Sequence, residues 1–441
     1  MRGKRLSVNG ILMLYHHYLF ANAPTIMEHV KAFEQHSQFK VYSINTELGF
    51  PASLKKLRFE IILLHYSLFG SFYLLTKEFL NFLQESESSY KIAFFQDEYR
   101  YCQKRFSFLN QMKIDCIYTL LEPPYFKDVY QKYTKVPRIV YTLPGYIGDD
   151  LLEIAGRRAR PFQERGIDVG YRARRLPFYM GEGAQEKHNI GVEFRERAAT
   201  FGLRVDIETE ERKRIYGSKW YDFLANCRCV LGVEAGVSVF DVQDEARTEC
   251  ERRILEKPNI RFEEVLEQVL KKWEGKIPYR TISPRHLEAA AFRVVQILFE
   301  GRYSEIMRPM VHYIPLKKDF SNFDEVIRMF RDEALCHELV ENGYRDLVAS
   351  GQYSYRRFIE GFDTEMRELG VDPGKMAGRV QTVDALLNRG KWYRHLRANL
   401  LSLRHYSFPG RGVVLFFARP IRRLYRRLRR RINPDSPFVG I

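Results

Sequence analysis

The sequence predicts an α/β protein made of two doubly wound units in series, with a cleft between them. Three observations predict it. Short apolar strands alternate with amphipathic helices up to Thr142, the polar segment Gly156-Arg-Arg-Ala-Arg-Pro161 interrupts them, and the alternation resumes at Ile167. At 441 residues the chain is about three typical domain lengths, which suits two domains with extra elements. The expected division is a first domain over 1–150, a linker over 151–166, a second domain over 167–365 and a helical region over 366–441.

The first strands are expected at Ile11–Tyr15, Lys40–Ile44, Ile61–Tyr66, Lys91–Phe95, Cys116–Leu120 and Arg138–Thr142. A helix opening near Pro24 and Thr25, with Ile26, Val30 and Phe33 on one face, joins the first two. Strands that alternate with helices imply a parallel sheet covered on both sides, with ligands at the strands' C-terminal ends. Those ends carry His16-His17, His65 and Gln96-Asp97-Glu98. His16, His65, Asp97 and Glu98 are therefore candidates for a general base, with polar strand caps as the alternative. The second block reads as a strand at Ile167–Tyr171, a helix through Glu186–Phe201, strands at Arg204–Ile207 and Cys229–Val233, and a helix at Lys219–Asn226. Helical sequence from Asp244 to Trp273 precedes a last strand–helix run over Lys276–Phe299.

Composition narrows the class. Hydrophobic residues make up 45%, enough for ordinary cores. The net charge of +16 is uneven: from Lys391 onward twelve arginines and one lysine face only Asp435, which leaves +4 for the first 390 residues. The six cysteines lack zinc-ligand or CxxC spacing, so a reducing, cytoplasmic compartment is the simplest reading. Met1–Ala23 imitates a signal peptide, with Arg2, Lys4 and Arg5 before an apolar run. That run is short and meets His16 and His17 at once, which fits a first strand better.

Three segments carry chemistry. Gly170-Tyr171-Arg172 closes the second unit's first strand, and Gly181-Glu-Gly183 precedes Lys187 and a helix, so cations and a helix N-terminus are expected around an anion. A solvated basic loop accounts for the same residues. Glu234, Gly236 and Ser238 follow a strand in Leu231-Gly-Val-Glu-Ala-Gly-Val-Ser238, where a ligand-facing turn and a purely structural one are both open. Ser283-Pro284 is a helix start, with Arg285 and Glu288 in the first turns. Either they face phosphate and ribose, or Glu288 merely complements the helix dipole and pairs with Arg285.

Taken together, Gly-Tyr-Arg, Leu-Gly-x-Glu-x-Gly-x-Ser and Ser-Pro-Arg-x-x-Glu-Ala resemble the donor domain of GT-B glycosyltransferases, whose two domains are Rossmann-like. The run Glu300-Gly-Arg-Tyr303, His312-Tyr-Ile-Pro-Leu316 and Ser350-Gly-Gln-Tyr-Ser-Tyr355 adds to the likeness, which covers about Ile167–Phe362 and is greatest for the spore-maturation (CgeB-like) group. The resemblance implies sugar transfer from a nucleoside-diphosphate sugar to a glycan or lipid-linked acceptor in bacterial surface polysaccharide synthesis, with no further cofactor. It implies that Glu288 holds the donor ribose, that Arg172 and Lys187 face the diphosphate, and that His312 belongs to the donor side. Related retaining enzymes often carry a second glutamate eight positions before the first; here that position is Arg280, which leaves the stereochemical class open. No D-x-D motif occurs, which fits metal-independent chemistry with cations at the leaving group.

The tail is expected to form a basic amphipathic helix. Val414, Phe417, Ile421, Leu424, Tyr425, Leu428 and Ile432 share one helical face and arginines fill the rest. Such a segment, over about 410–432, suits an anionic membrane interface at the inner face of the cytoplasmic membrane. Interleaved large apolar residues favour a membrane over nucleic acid. A non-catalytic nucleotide-binding or scaffold protein on the same fold is the alternative from another class.

Overall fold

Six apolar runs form the first sheet: β1 (Leu6–Tyr15), β2 (Val41–Asn45), β3 (Leu57–Leu64), β4 (Tyr90–Phe94), β5 (Cys116–Thr119) and β6 (Arg138–Tyr141). The structure is a computed structural model that describes residues 6–17, 25–70, 73–370 and 380–388, with Leu396 in addition. All neighbours pair in parallel, in the order β2-β1-β3-β4-β5-β6. Both faces are buried, as parallel strands require. Leu12, Leu14, Ile62 and Leu64 face one core, with Phe79 and Phe82 of α2 (Lys77–Glu85) and Phe106 and Leu109 of α3 (Cys102–Gln111). Ile11, Met13, Ile61 and Leu63 face the other, with Val30 and Phe33 of α1 (Thr25–His36). The two-residue alternation of these sets is the strand period read from the inside.

The expected linker is partly helical. α4 (Asp149–Arg158) packs Leu151 and Ala155 into the second unit, so only the stretch after it connects. The second sheet comprises β7 (Ile167–Arg172), β8 (Val205–Glu208), β9 (Cys227–Gly232), β12 (Val295–Phe299) and β13 (Ile314–Leu316). It is parallel too, ordered β13-β12-β9-β7-β8. Its helices are α5 (Glu182–Ala198), α6 (Ser218–Asn226), α9 (Pro284–Ala291), α10 (Phe323–Arg331) and α11 (Glu333–Gly343).

An excursion between β9 and α9 departs from the doubly wound pattern. β10 (Ala235–Val239) and β11 (Glu274–Thr281) pair antiparallel and frame α7 (Glu245–Glu256) and α8 (Phe262–Val265), which close a small core around Cys250, Val265 and Leu270. Val237, Phe240 and Tyr279 of the excursion join the first unit's core.

Helix α12 (Tyr355–Glu368) corrects the expected 167–365 boundary. Its Tyr355, Ile359, Phe362 and Met366 pack on the first sheet beside Phe33, Phe94 and Tyr118. Asp363 accepts hydrogen bonds from the Ser37 hydroxyl (2.8 Å) and the Gln38 amide (2.6 Å) of the first unit. The two crossings between units lie side by side, with the Ile147 amide bonded to Tyr353 and the Tyr355 amide to Ile147. Farther on, α13 (Val380–Asn388) places Val383 in the first unit's core. The expected basic helix over 410–432 lies outside the described residues.

Candidate functional site

Each sheet reverses its build direction once, between β1 and β3 and between β7 and β9. Strand ends diverge at such points and leave a crevice. The crevice of the second sheet opens into a cleft of about 270 Å³, whose far wall is Asp97, Tyr99 and Arg100 of the first unit.

Gly170, Tyr171, Arg172, Lys187, Gly236, Ser283 and Arg285 all line this cleft, so the structure brings together seven of the expected donor residues. Their roles differ from expectation in several cases. Gly170 makes room for packing: a Cβ there would meet the Cys227 sulfur at 2.3 Å and the Phe223 ring at 2.7 Å. Arg172 is held by Asp206 at 2.8 Å and lies over the Phe223 ring, leaving Nε as its unpaired buried atom. The Tyr171 hydroxyl donates to the Lys187 carbonyl at 2.9 Å.

Ser283 caps α9 as expected, with Pro284 in the first turn and Nδ1 of His286 accepting from the Ser283 amide at 3.3 Å. Burial pushes His286 down to about 3, so it is neutral. Arg285 donates to the Arg172 carbonyl at 2.6 Å and lies over the Trp220 ring at 4.8 Å. Glu288 accepts from the Trp220 indole at 2.6 Å. Arg285 and Glu288 thus meet through Trp220, not through each other.

Lys187 is the group that an anion would satisfy. Its ammonium makes no hydrogen bond or ion pair among the described residues, and burial, then Arg280, pulls it down to about 8 against the charge of Asp97. The start of α5, by contrast, is already satisfied: Ser238 Oγ accepts from the Gly183 amide at 2.9 Å and Glu274 from the Glu182 amide at 3.2 Å. Ser238 therefore caps α5 and leaves no open anion site there, contrary to expectation. Glu234 is likewise occupied, accepting from the Tyr303 amide at 3.0 Å and pairing with Arg280 at 3.4 Å. Gly236 has a structural reason, a φ of +88° and a would-be Cβ 1.9 Å from the Tyr279 carbonyl oxygen. His312 is not among the residues that line the cleft; its ring accepts from the Arg308 amide at 3.2 Å and contacts Asp346 at 3.1 Å.

Of the four residues proposed as a base, one faces this cleft. Asp97 is exposed in its wall, sits at φ +53°, and makes no hydrogen bond or ion pair among the described residues. Glu98 turns the other way and is fully buried, its carboxylate receiving hydrogen bonds from Thr119, the Leu120 amide, Tyr130 and Tyr279. His16 and His65 lie at the first sheet's own crevice, both buried. His16 contacts Thr46 at 2.9 Å and Glu47 at 3.3 Å, and burial lowers it to about 4. His65 bonds Ser67 at 2.8 Å and is driven well below the usual histidine range by burial and by His29.

Sequence reasoning missed Trp220, Arg280 and the Tyr99-Arg100 wall. Trp220 lies in an ordinary amphipathic helix, and nothing local marks it. Arg280 did carry a signal, an arginine in a strand that ends beside Ser283-Pro284; it pairs with both Glu186 and Glu234. Among the described residues no group of three or more His, Cys, Asp or Glu is arranged to hold a metal, all six cysteines are free and buried, and no helix is long and apolar enough to cross a membrane.

No family model and no curated protein matches the chain. Solved structures that resemble it include an alpha-glucosyltransferase in complex with UDP and a 13-mer DNA containing a HMU base, at 11% identity and a TM-score of 0.48 over 81% of this chain and 99% of that one. Another is Anabaena HepE in complex with UDP, at 9% identity and a TM-score of 0.45 over 81% and 100%. A third is sucrose-phosphate synthase from Thermosynechococcus elongatus, at 11% and 0.38 over 70% and 74%. These are distant likenesses, and the functional reading rests on the residues of the cleft.

Proposed function

We propose that the chain is a GT-B-type glycosyltransferase that moves a sugar from a nucleoside-diphosphate sugar to an acceptor hydroxyl. The observation that carries this is Lys187: an ammonium in a cleft at the second sheet's switch point, beside the start of α9, with no hydrogen bond or ion pair among the described residues and only the charge of Asp97 across the cleft to offset it. A largely desolvated ammonium with no hydrogen bond of its own is costly, and a bound diphosphate lowers that cost. As the anomeric C–O bond breaks, its electron pair leaves on the diphosphate, where Lys187 and Arg285 meet the growing charge and the α9 dipole adds to them. The acceptor oxygen forms the new bond and loses its proton on the side of Asp97, the unpaired carboxylate of the opposite wall. Glu288, oriented by Trp220, is assigned to the ribose hydroxyls.

The broader setting is a glycan or lipid-linked acceptor in bacterial surface polysaccharide synthesis, with the protein held at the inner face of the cytoplasmic membrane by 410–432. The charge imbalance of the sequence after Lys391 supports that placement. The reading is tested by titrating UDP, GDP and ADP calorimetrically and by following hydrolysis of the matching glucose esters. Binding of one nucleoside diphosphate with slow hydrolysis of its sugar ester is expected. Absence of binding overturns the donor site; binding without hydrolysis or transfer leaves a non-catalytic nucleotide-binding protein.

A further inference from the structure

Tyr279 and Arg280 are neighbours on β11, and their side chains leave the strand in opposite directions, as strand geometry dictates. Arg280 enters the second unit, where it pairs with Glu186 and with Glu234 (3.4 Å) behind the cleft. Tyr279 enters the first unit, where it is buried and its hydroxyl donates to Glu98 at 3.1 Å. Glu98 is the residue next to Asp97. Its carboxylate also collects the Thr119 hydroxyl at 2.7 Å, the Leu120 amide at 2.8 Å and the Tyr130 hydroxyl, all from the first unit. The turn between them is strained: Asp97 and Tyr101 both sit at positive φ, 53° and 55°. Non-glycine residues hold such angles only where their surroundings impose them.

Further contacts fix the same turn to the same excursion. The Tyr101 amide donates to Asp244 at 2.9 Å, its hydroxyl accepts from Arg247 at 2.7 Å, and Gln103 donates to the Val242 carbonyl at 2.9 Å. The β10–β11 pair is itself closely built, since Gly236, which lines the cleft, abuts the Tyr279 carbonyl. One antiparallel strand pair therefore carries a piece of the cleft wall, the anchor of Glu234 and the hydroxyl that ends on Glu98.

We propose that Tyr279 and Glu98 form a latch between the two units that positions Asp97 in the cleft wall opposite Lys187. Both are positioning residues: neither lines the cleft, and each acts through Asp97. The inference rests on the glycosyltransferase reading for the role of Asp97, though not for the latch itself.

The test is a double-mutant cycle on the full chain with Tyr279→Phe and Asp97→Asn. Phenylalanine keeps the packed ring and removes only the hydroxyl. The readouts are nucleoside-diphosphate affinity, kcat and KM for hydrolysis of the glucose ester that the wild type accepts, and hydrogen exchange over residues 96–101. Tyr279→Phe is expected to lower kcat roughly tenfold, as loss of one hydrogen bond to a charged group would, with nucleotide affinity and KM within about twofold. Exchange over 96–101 should rise. The double variant should be no slower than Asp97→Asn alone, because both changes act at one place. Wild-type kcat and unchanged exchange in Tyr279→Phe, or losses that add in the double variant, overturn the latch. If Tyr279→Phe fails to fold, Glu98→Gln takes its place under the same criteria. A wild type that binds no nucleotide overturns the donor reading instead, and the exchange measurement then decides the latch alone.

Discussion

The indole N–H of Trp220 donates a 2.6 Å hydrogen bond to the carboxylate of Glu288 and so ties α6 to α9 at the edge of the cleft. Burial raises the Glu288 carboxyl above its ordinary range, while the indole hydrogen bond and Arg285 act against that rise. Glu288→Ala should remove detectable transfer, a loss of about 100-fold or more, while the protein stays folded. Trp220→Phe, which keeps a ring under Arg285 but cannot donate, should fall between the variant and the wild type. Turnover and nucleotide titration check both; wild-type values in Glu288→Ala would remove this residue from the site.

Lys187→Ala should weaken nucleoside-diphosphate binding about tenfold or more, in line with a charge-assisted hydrogen bond, and nucleoside binding far less. The pH dependence has a definite sign. The free ammonium is charged below about 8 and neutral above it. Diphosphate affinity of the wild type should therefore drop as pH rises through about 8, with proton uptake on binding, and the variant should lose that drop. Calorimetry in two buffers of different ionisation enthalpy measures the uptake; equal losses for nucleoside and nucleoside diphosphate would place Lys187 elsewhere.

Glu28, on α1, is raised from 4.5 to about 7 by burial, then by the charges of Glu288 and Asp150. A carboxyl whose folded-state value is raised stabilises the fold fully below its unfolded value and loses that contribution as pH climbs through the folded one. Wild-type Tm should consequently decline between about pH 5 and 8 relative to Glu28→Gln, with the two converging near pH 4. Parallel Tm curves across that window would show that the Glu28 proton is not linked to folding.

Truncation before Gly410 should release the protein from anionic vesicles without loss of nucleotide binding. The charge concentrated after Lys391 makes the attraction sensitive to salt, and the apolar positions of 410–432 add a part that salt does not remove. Sedimentation with anionic and neutral vesicles compares the two forms. Equal pelleting of the truncated protein would put the membrane contact elsewhere.

The strands were legible because each is a short apolar run between polar turns, and all six expected in the first unit form within a few residues of their expected bounds. Ser283-Pro284 also announced its helix, since a cap followed by proline is a local signal. What was not legible depends on distant partners. Tyr355–Glu368 follows the second unit in sequence, and only its packing on Phe33 and Phe94 assigns it to the first. Asp97 and Glu98 are adjacent carboxylates at one strand end, yet one lies open and the other buried because Thr119, Tyr130 and Tyr279 come from other elements. Ser238 and Glu234 resembled ligand residues because the partners that occupy them, Gly183, Tyr303 and Arg280, are 46 to 69 positions away.

The return of α12 has a consequence for biosynthesis. The face of the first sheet that carries Phe94 and Tyr118, with Phe33 of α1 packed on it, is completed by Ile359, Phe362 and Met366. During translation those aromatic rings emerge more than two hundred residues before their cover. At elongation speeds of roughly 5–20 residues per second, that is a delay of about ten seconds or more. The nascent first unit therefore waits with a sticky, half-finished surface, which is a natural client for a ribosome-associated chaperone and a poor candidate for expression as a truncated fragment.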